Sequence, residues 1–272
     1  MTAPAKVWTY RTLITNLALR DLRSRYKKSI LGWLWSLITP AITLGIYTVV
    51  IGVFLNQNAN ALPAGNGTTK SFALYLFCAL TVWNAFANGI NQSISSFLAA
   101  GPMLTRTYFP PECPIFAGTL TTLTQTLIES TILFGFMAAL GNLGWAYLLV
   151  PAILILLTCF AFGLGMLAAL LNVRYRDINY LVGIGLQVLF YAPPIVYRVD
   201  TIGHHPILGV DPKRILDLNP MTHFVEAMRA GAYSQQAPSL RNWFAMSASA
   251  LVSVAFGWWI FDRRSPQLIE EI

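Results

Sequence analysis

Long apolar runs alternate along the chain with short polar breaks. Six runs, at 33–55, 72–95, 114–140, 147–171, 178–198 and 242–261, approach or exceed the roughly 20 apolar residues that a membrane-spanning helix needs. The pattern predicts an all-α polytopic membrane protein with six transmembrane helices. Ahead of the first run, Leu13, Ile14, Leu17, Ala18, Leu22, Tyr26 and Ile30 recur every three or four residues, with Arg11, Arg20, Asp21, Arg23, Lys27 and Lys28 largely between them. That spacing predicts an amphipathic helix over 8–30, lying in the membrane interface. Across Gly32 this basic stretch turns into an apolar span, with Trp33 and Trp35 at the level expected of headgroups. The span is long, lacks a small-residue cleavage pattern and follows a charged leader, so it reads as a span and not as a signal peptide. With no internal repeat and no linker, residues 1–272 are expected to form a single membrane domain.

Composition agrees with the pattern. Hydrophobic residues make up 56% of the 272 and charged residues 11%, against about 25% charged in a soluble domain. The net charge of +7 does not point to nucleic acid, because the basic residues gather beside the spans and not on a base-reading motif. Anionic lipid headgroups are the expected partner. With the N-terminus inside, twelve of the 18 basic residues fall on the cytoplasmic side, so both ends are expected in the cytoplasm by the positive-inside rule. Cys78, Cys113 and Cys159 fall in or beside apolar segments without metal-ligand spacing and read as small buried hydrophobes.

Several segments carry candidate chemistry. The basic residues Arg23, Arg25, Lys27 and Lys28 are either a topology anchor or a contact for an anionic headgroup or cytoplasmic partner. Residues 100–113 link spans two and three. There Gly101 and Pro102 can open a short helix presenting Met103, Leu104, Arg106, Tyr108 and Phe109, with Pro110 and Pro111 closing it. It is a docking knob or an ordinary interhelical loop. Arg174, Arg176 and Asp177 form a charge cluster at the next cytoplasmic turn, either structural or partner-sensing. Glu129 lies inside span three, where a carboxylate is costly and faces the bundle interior or a water-filled cavity; Thr126 and Gln125 are expected partners. Pro193 and Pro194 interrupt span five, and 218–233 forms a short amphipathic segment that can re-enter the membrane where it packs on protein. His204, His205 and His223 read as exposed loop histidines. The aromatics Trp33, Trp35, Tyr47, Trp83, Phe190 and Tyr191 are anchors or core, or else line a path for the apolar faces of sugars.

Motifs for chemistry are missing. None of the five lysines follows a glycine, so no phosphate-binding P-loop exists, and the chain is not expected to be an enzyme or to bind a cofactor or metal. The segments RDLRSRYKKSILGWLWSLITP, FPPECPIF, NVRYRDINYLV and LNPMTHFVEAMRAG, in this order, resemble the membrane subunit of ABC-2-type exporters. Within these they are most similar to the polysaccharide permeases of O-antigen and galactan export (Wzm-like). The resemblance implies a homodimer with a central channel, two copies of a separate ATPase that carries ATP and magnesium, and a polyprenyl-pyrophosphate-linked glycan as cargo. It implies an interface helix at 8–30, a coupling helix at 100–113 and gate helices within an outer loop at 199–241. It also implies that Arg23, Arg25, Lys27 and Lys28 meet the pyrophosphate. A permease for small lipids or drugs, an integral-membrane enzyme and a scaffold of glycan synthesis are the alternatives.

Overall fold

The computed structural model describes residues 8–25, 29, 31–54, 63–68, 70–104, 106, 109–175, 177–197 and 212–269. Among these residues the chain is all-helical and has no strand. Helix α1 is Arg11–Arg25; α2 is Trp35–Tyr47, entered through a 3₁₀ turn at Gly32–Leu34 and continued by a π-helical stretch at Thr48–Phe54. Then come α3, Phe72–Leu104, α4, Cys113–Ala139, and α5, Val150–Arg174, the last entered through a 3₁₀ turn at Trp145–Leu149. Helix α6 is Ile178–Leu189 and α7 is Pro212–Leu218. Helix α8, Pro220–Met228, runs into a π-helical turn at Arg229–Tyr233, and α9 is Leu240–Ile269.

The six expected spans are not alike. Phe72–Leu104, Trp145–Arg174 and Leu240–Ser265 are long and apolar enough to cross a membrane. Helix α4 has the length, with 27 residues, but Thr119, Thr121, Thr122, Thr124, Gln125, Thr126 and Glu129 dilute its apolar character. The apolar part of the first span is Leu37–Val50. Helix α6 has 12 residues and reaches only about 18 Å, short of a hydrocarbon core about 30 Å thick. It ends at Leu189 because Pro193 and Pro194 lack N–H groups and push the residue ahead of them out of helical geometry.

Helix α3 forms the centre of the bundle, packed against both α4 and α5, while α9 packs mainly on α5. Small residues set these approaches. A Cβ on Gly165 would meet Ser93 Oγ, and one on Gly118 would meet Ser96 Oγ. Between α5 and α9, a Cβ on Gly163 would overlap the main chain of Ser253, and one on Gly257 the carbonyl of Gly163. Ser253 Oγ donates to the Phe160 carbonyl at 2.8 Å across this contact. Close backbone approach through small residues is how helices associate where lipid removes the hydrophobic drive.

Two expectations about the polar ends change. No new helix opens at Gly101 and Pro102; α3 runs through both to Leu104. Proline so near the helix end disturbs few hydrogen bonds, and Gly101 has no Cβ to clash with the proline ring. Leu104 and Phe109 do not face outward: both are buried in a core with Phe97, Cys113, Ile115, Phe162 and Phe261. Helix α1 likewise turns its apolar face to protein. Leu17 and Ala18 pack with Ala117 of α4, flanked by Leu13, Ile14 and Met103. Thr121 Oγ1 of α4 lies 3.5 Å from the Ala18 carbonyl, and Arg20 Nη1 lies 4.0 Å from Met103 Sδ.

Candidate functional site

A cavity of about 330 Å³ opens between α2, α3 and α4. Its walls combine Trp35 and Thr39 with Asn84 and Asn88 of α3 and with Gln125 and Glu129 of α4. The helical period explains the convergence, because residues four apart lie on one face. Thr43, Thr122 and Thr126 also line it, but their hydroxyls donate to their own helix carbonyls at 2.9, 3.1 and 3.0 Å. Asn84, Asn88 and the Glu129 carboxyl are therefore the cavity's main groups for a ligand. Asn84 of α3 lines the same cavity as Glu129, and so do Gln125 and Thr126, the partners expected from the sequence. Such a surface can take a hydroxyl-rich ligand, with Trp35 offering an apolar ring face at one side.

A second polar centre is closed. Arg229, in the π-helical turn after α8, is 4% exposed. Its Nη1 and Nη2 donate to the carbonyls of Pro194 and Ile195 at 2.6 and 2.7 Å, and Nε donates to the Tyr75 carbonyl at 3.3 Å. The guanidinium carbon lies 3.7 Å from the Tyr75 ring centroid. The carbonyls left open beyond the end of α6 thus find donors, as buried backbone requires. Phe224 of α8 stacks on Phe160, which stacks on Phe86, with centroids 5.8 and 5.4 Å apart. His223 is buried and not an exposed loop histidine: Nδ1 is 3.0 Å from Asn242 Oδ1 and Nε2 3.0 Å from the Asp217 carbonyl. His204 and His205 lie outside the described residues.

Three loops close on one amide. Asn142 Oδ1 accepts from the Asn66 amide at 3.0 Å and from Gln235 Nε2 at 2.8 Å, and Nδ2 donates to the Tyr233 carbonyl at 2.9 Å. Gln235 reaches this place with φ of 55°, a left-handed conformation uncommon for a residue other than glycine.

Residues 12–233 match the ABC-2 type transporter family. The chain belongs to the ABC-2 type transporter family. It is similar to the O-antigen export system permease protein RfbA of Myxococcus xanthus, 25% identical over 98% of both chains. The protein of the same name from Klebsiella pneumoniae is 28% identical over 70% of this chain and 69% of that one. The polysialic acid transport protein KpsM of Escherichia coli is 23% identical over 95% of this chain and 96% of its own length.

In this ABC-2 permease the sequence-predicted residues separate into groups. Trp35 and Glu129 meet at the cavity. Trp83, Phe190 and Tyr191 form an edge-to-face ladder at α3 and α6, with centroids 5.5 and 5.2 Å apart; Trp83 is buried and Tyr191 exposed. Tyr47 packs, partly buried, against the main core. Arg23 lines an open groove on α1 with Asn16, Leu19, Arg20 and Ser24. Arg20 pairs with Asp21 at 3.0 Å. Met103 is half-buried and Arg106 exposed at the end of α3. Arg174 is exposed, 5.6 Å over the Tyr175 ring, and Asp177 is exposed one residue before α6. Lys27, Lys28, Tyr108 and Arg176 lie outside the described residues, as do the side chains of Arg25 and Trp33. Sequence reasoning passed over Asn84, Asn88, Asn142 and Arg229. For the first two the signal was present: amides four apart inside an apolar run.

Proposed function

We propose that this chain is the permease subunit of an ABC exporter that carries lipid-linked polysaccharide of the O-antigen or galactan type across the cytoplasmic membrane. The observation that carries the reading is the amide-and-carboxylate cavity beside Trp35, found in a chain that a named O-antigen export permease matches over 98% of both lengths. Six spans, both termini in the cytoplasm, a homodimer and two copies of a partner ATPase complete the proposal. In it, Met103, Arg106 and Arg174 belong to the face that meets the ATPase, and Arg23, Arg25, Lys27 and Lys28 meet the pyrophosphate of a polyprenyl carrier. The outer segment around α8 acts as a gate. The test is depletion of the permease in its own host. Loss of surface polysaccharide with accumulation of the lipid-linked form inside supports the reading; unchanged surface polysaccharide overturns it.

A further inference from the structure

Helix α3 has the most buried apolar window of the three long helices, yet one stripe of it stays open. Asn84, Asn88 and Ser95 are exposed and Asn91 is half-buried, while Ile90, Ser93 and Ile94 between them, and Ser96 and Phe97 just beyond, are buried. Steps of four, three and four residues keep all four on one face. The stripe starts in the cavity, where Asn84 and Asn88 are lining residues. It runs toward the end of α3 that meets α1 through Met103 and Arg20. Ser95 Oγ donates to the Asn91 carbonyl at 2.9 Å, which leaves its lone pairs facing outward. Amides do not face hydrocarbon in a spanning helix; they face protein, water or a ligand. The stripe carries no charge, and the cavity at its head adds only the Glu129 carboxyl.

We propose that Asn84, Asn88, Asn91 and Ser95, with Glu129 at the head of the row, form a hydrogen-bonding track for uncharged sugar units. Amide groups both donate and accept, as sugar hydroxyls do. Successive members of the row stand about 5–6 Å apart on the helix surface, a spacing that lets a chain move by exchanging one partner at a time. A glycan with a carboxylate or phosphate in each unit finds no cation here and meets Glu129 instead. This proposal rests on the polysaccharide-export reading and adds the class of cargo and the residues that touch it.

The experiment has two arms. In membrane fragments holding the full complex, with Cys159→Ser as background, Asn88→Cys and Asn91→Cys should react with a membrane-impermeant maleimide, and Ile90→Cys and Ile94→Cys should not. In a permease-depleted host, Asn88→Leu with Asn91→Leu should lower surface polysaccharide at least tenfold at an unchanged permease level and with unchanged ATPase association; Asn88→Gln with Asn91→Gln should restore most of it. Unlabelled cysteines that instead cross-link between copies would make the stripe a dimer seam and overturn the track. Full export by the leucine pair would overturn it too, as would a cargo with an acidic group in every repeat. If removing the wild-type permease leaves surface polysaccharide unchanged, the export reading itself fails, whatever the thiol labelling shows.

Discussion

Arg229 and Glu129 are both ionisable groups in apolar surroundings, and the fold treats them in opposite ways. Arg229 is enclosed, its fork occupied by two carbonyls, its Nε directed at a third and its plane against Tyr75. Glu129 stands at an open cavity whose walls also carry Asn84 and Asn88. The first arrangement completes a broken backbone; the second leaves hydrogen-bonding capacity for something that comes and goes. The two polar groups therefore divide by whether their partners are permanent.

The largest expected effect is at Arg229. Arg229→Leu strands the carbonyls of Pro194 and Ile195, at about 1–3 kcal/mol each. The thermal midpoint in detergent should fall sharply, and the amount of protein in the membrane with it. Asn142→Ala comes next, because it removes one amide from three partners; a loss of about 1–3 kcal/mol is expected, read as a lower midpoint and faster proteolysis of the loops around Asn66, Asn142 and Gln235. Arg229→Lys keeps the charge but not the fork, so it should recover part of the stability lost in Arg229→Leu. Glu129→Gln should have the smallest effect on stability, within about 1 kcal/mol, since an amide of the same size fits the same open cavity. A large drop there would erase the difference between the two sites.

The sequence made the helical plan readable because apolar runs of spanning length leave few choices. It showed the α1 periodicity and the break before Pro193. It did not show that the apolar face of α1 meets Ala117 and Met103 and not lipid, since burial in lipid and burial in protein select the same side chains. The continuity of α3 through Pro102 was hidden for a related reason: a proline is compatible with a helix start and with a helix's last turn, and only tertiary packing decides. Glu129 stood out as a lone carboxylate, but Asn84, which lines the same cavity from α3, lies 45 residues away in sequence. Arg229 read as one more basic residue of an outer segment, because nothing local reveals that unwound carbonyls from 194 and 195 arrive beside it.

The central claim is that the polar groups facing the cavity act on the cargo, whereas Arg229 acts on the fold. The direct measurement is surface polysaccharide per permease molecule in the membrane, for Asn84→Leu and Arg229→Lys side by side in a permease-depleted host. For Asn84→Leu the account predicts a normal amount of permease and a several-fold loss of export per molecule. For Arg229→Lys it predicts less permease, with export per molecule close to wild type. Normal export per molecule from Asn84→Leu, together with a specific export defect in a fully abundant Arg229→Lys, would contradict it.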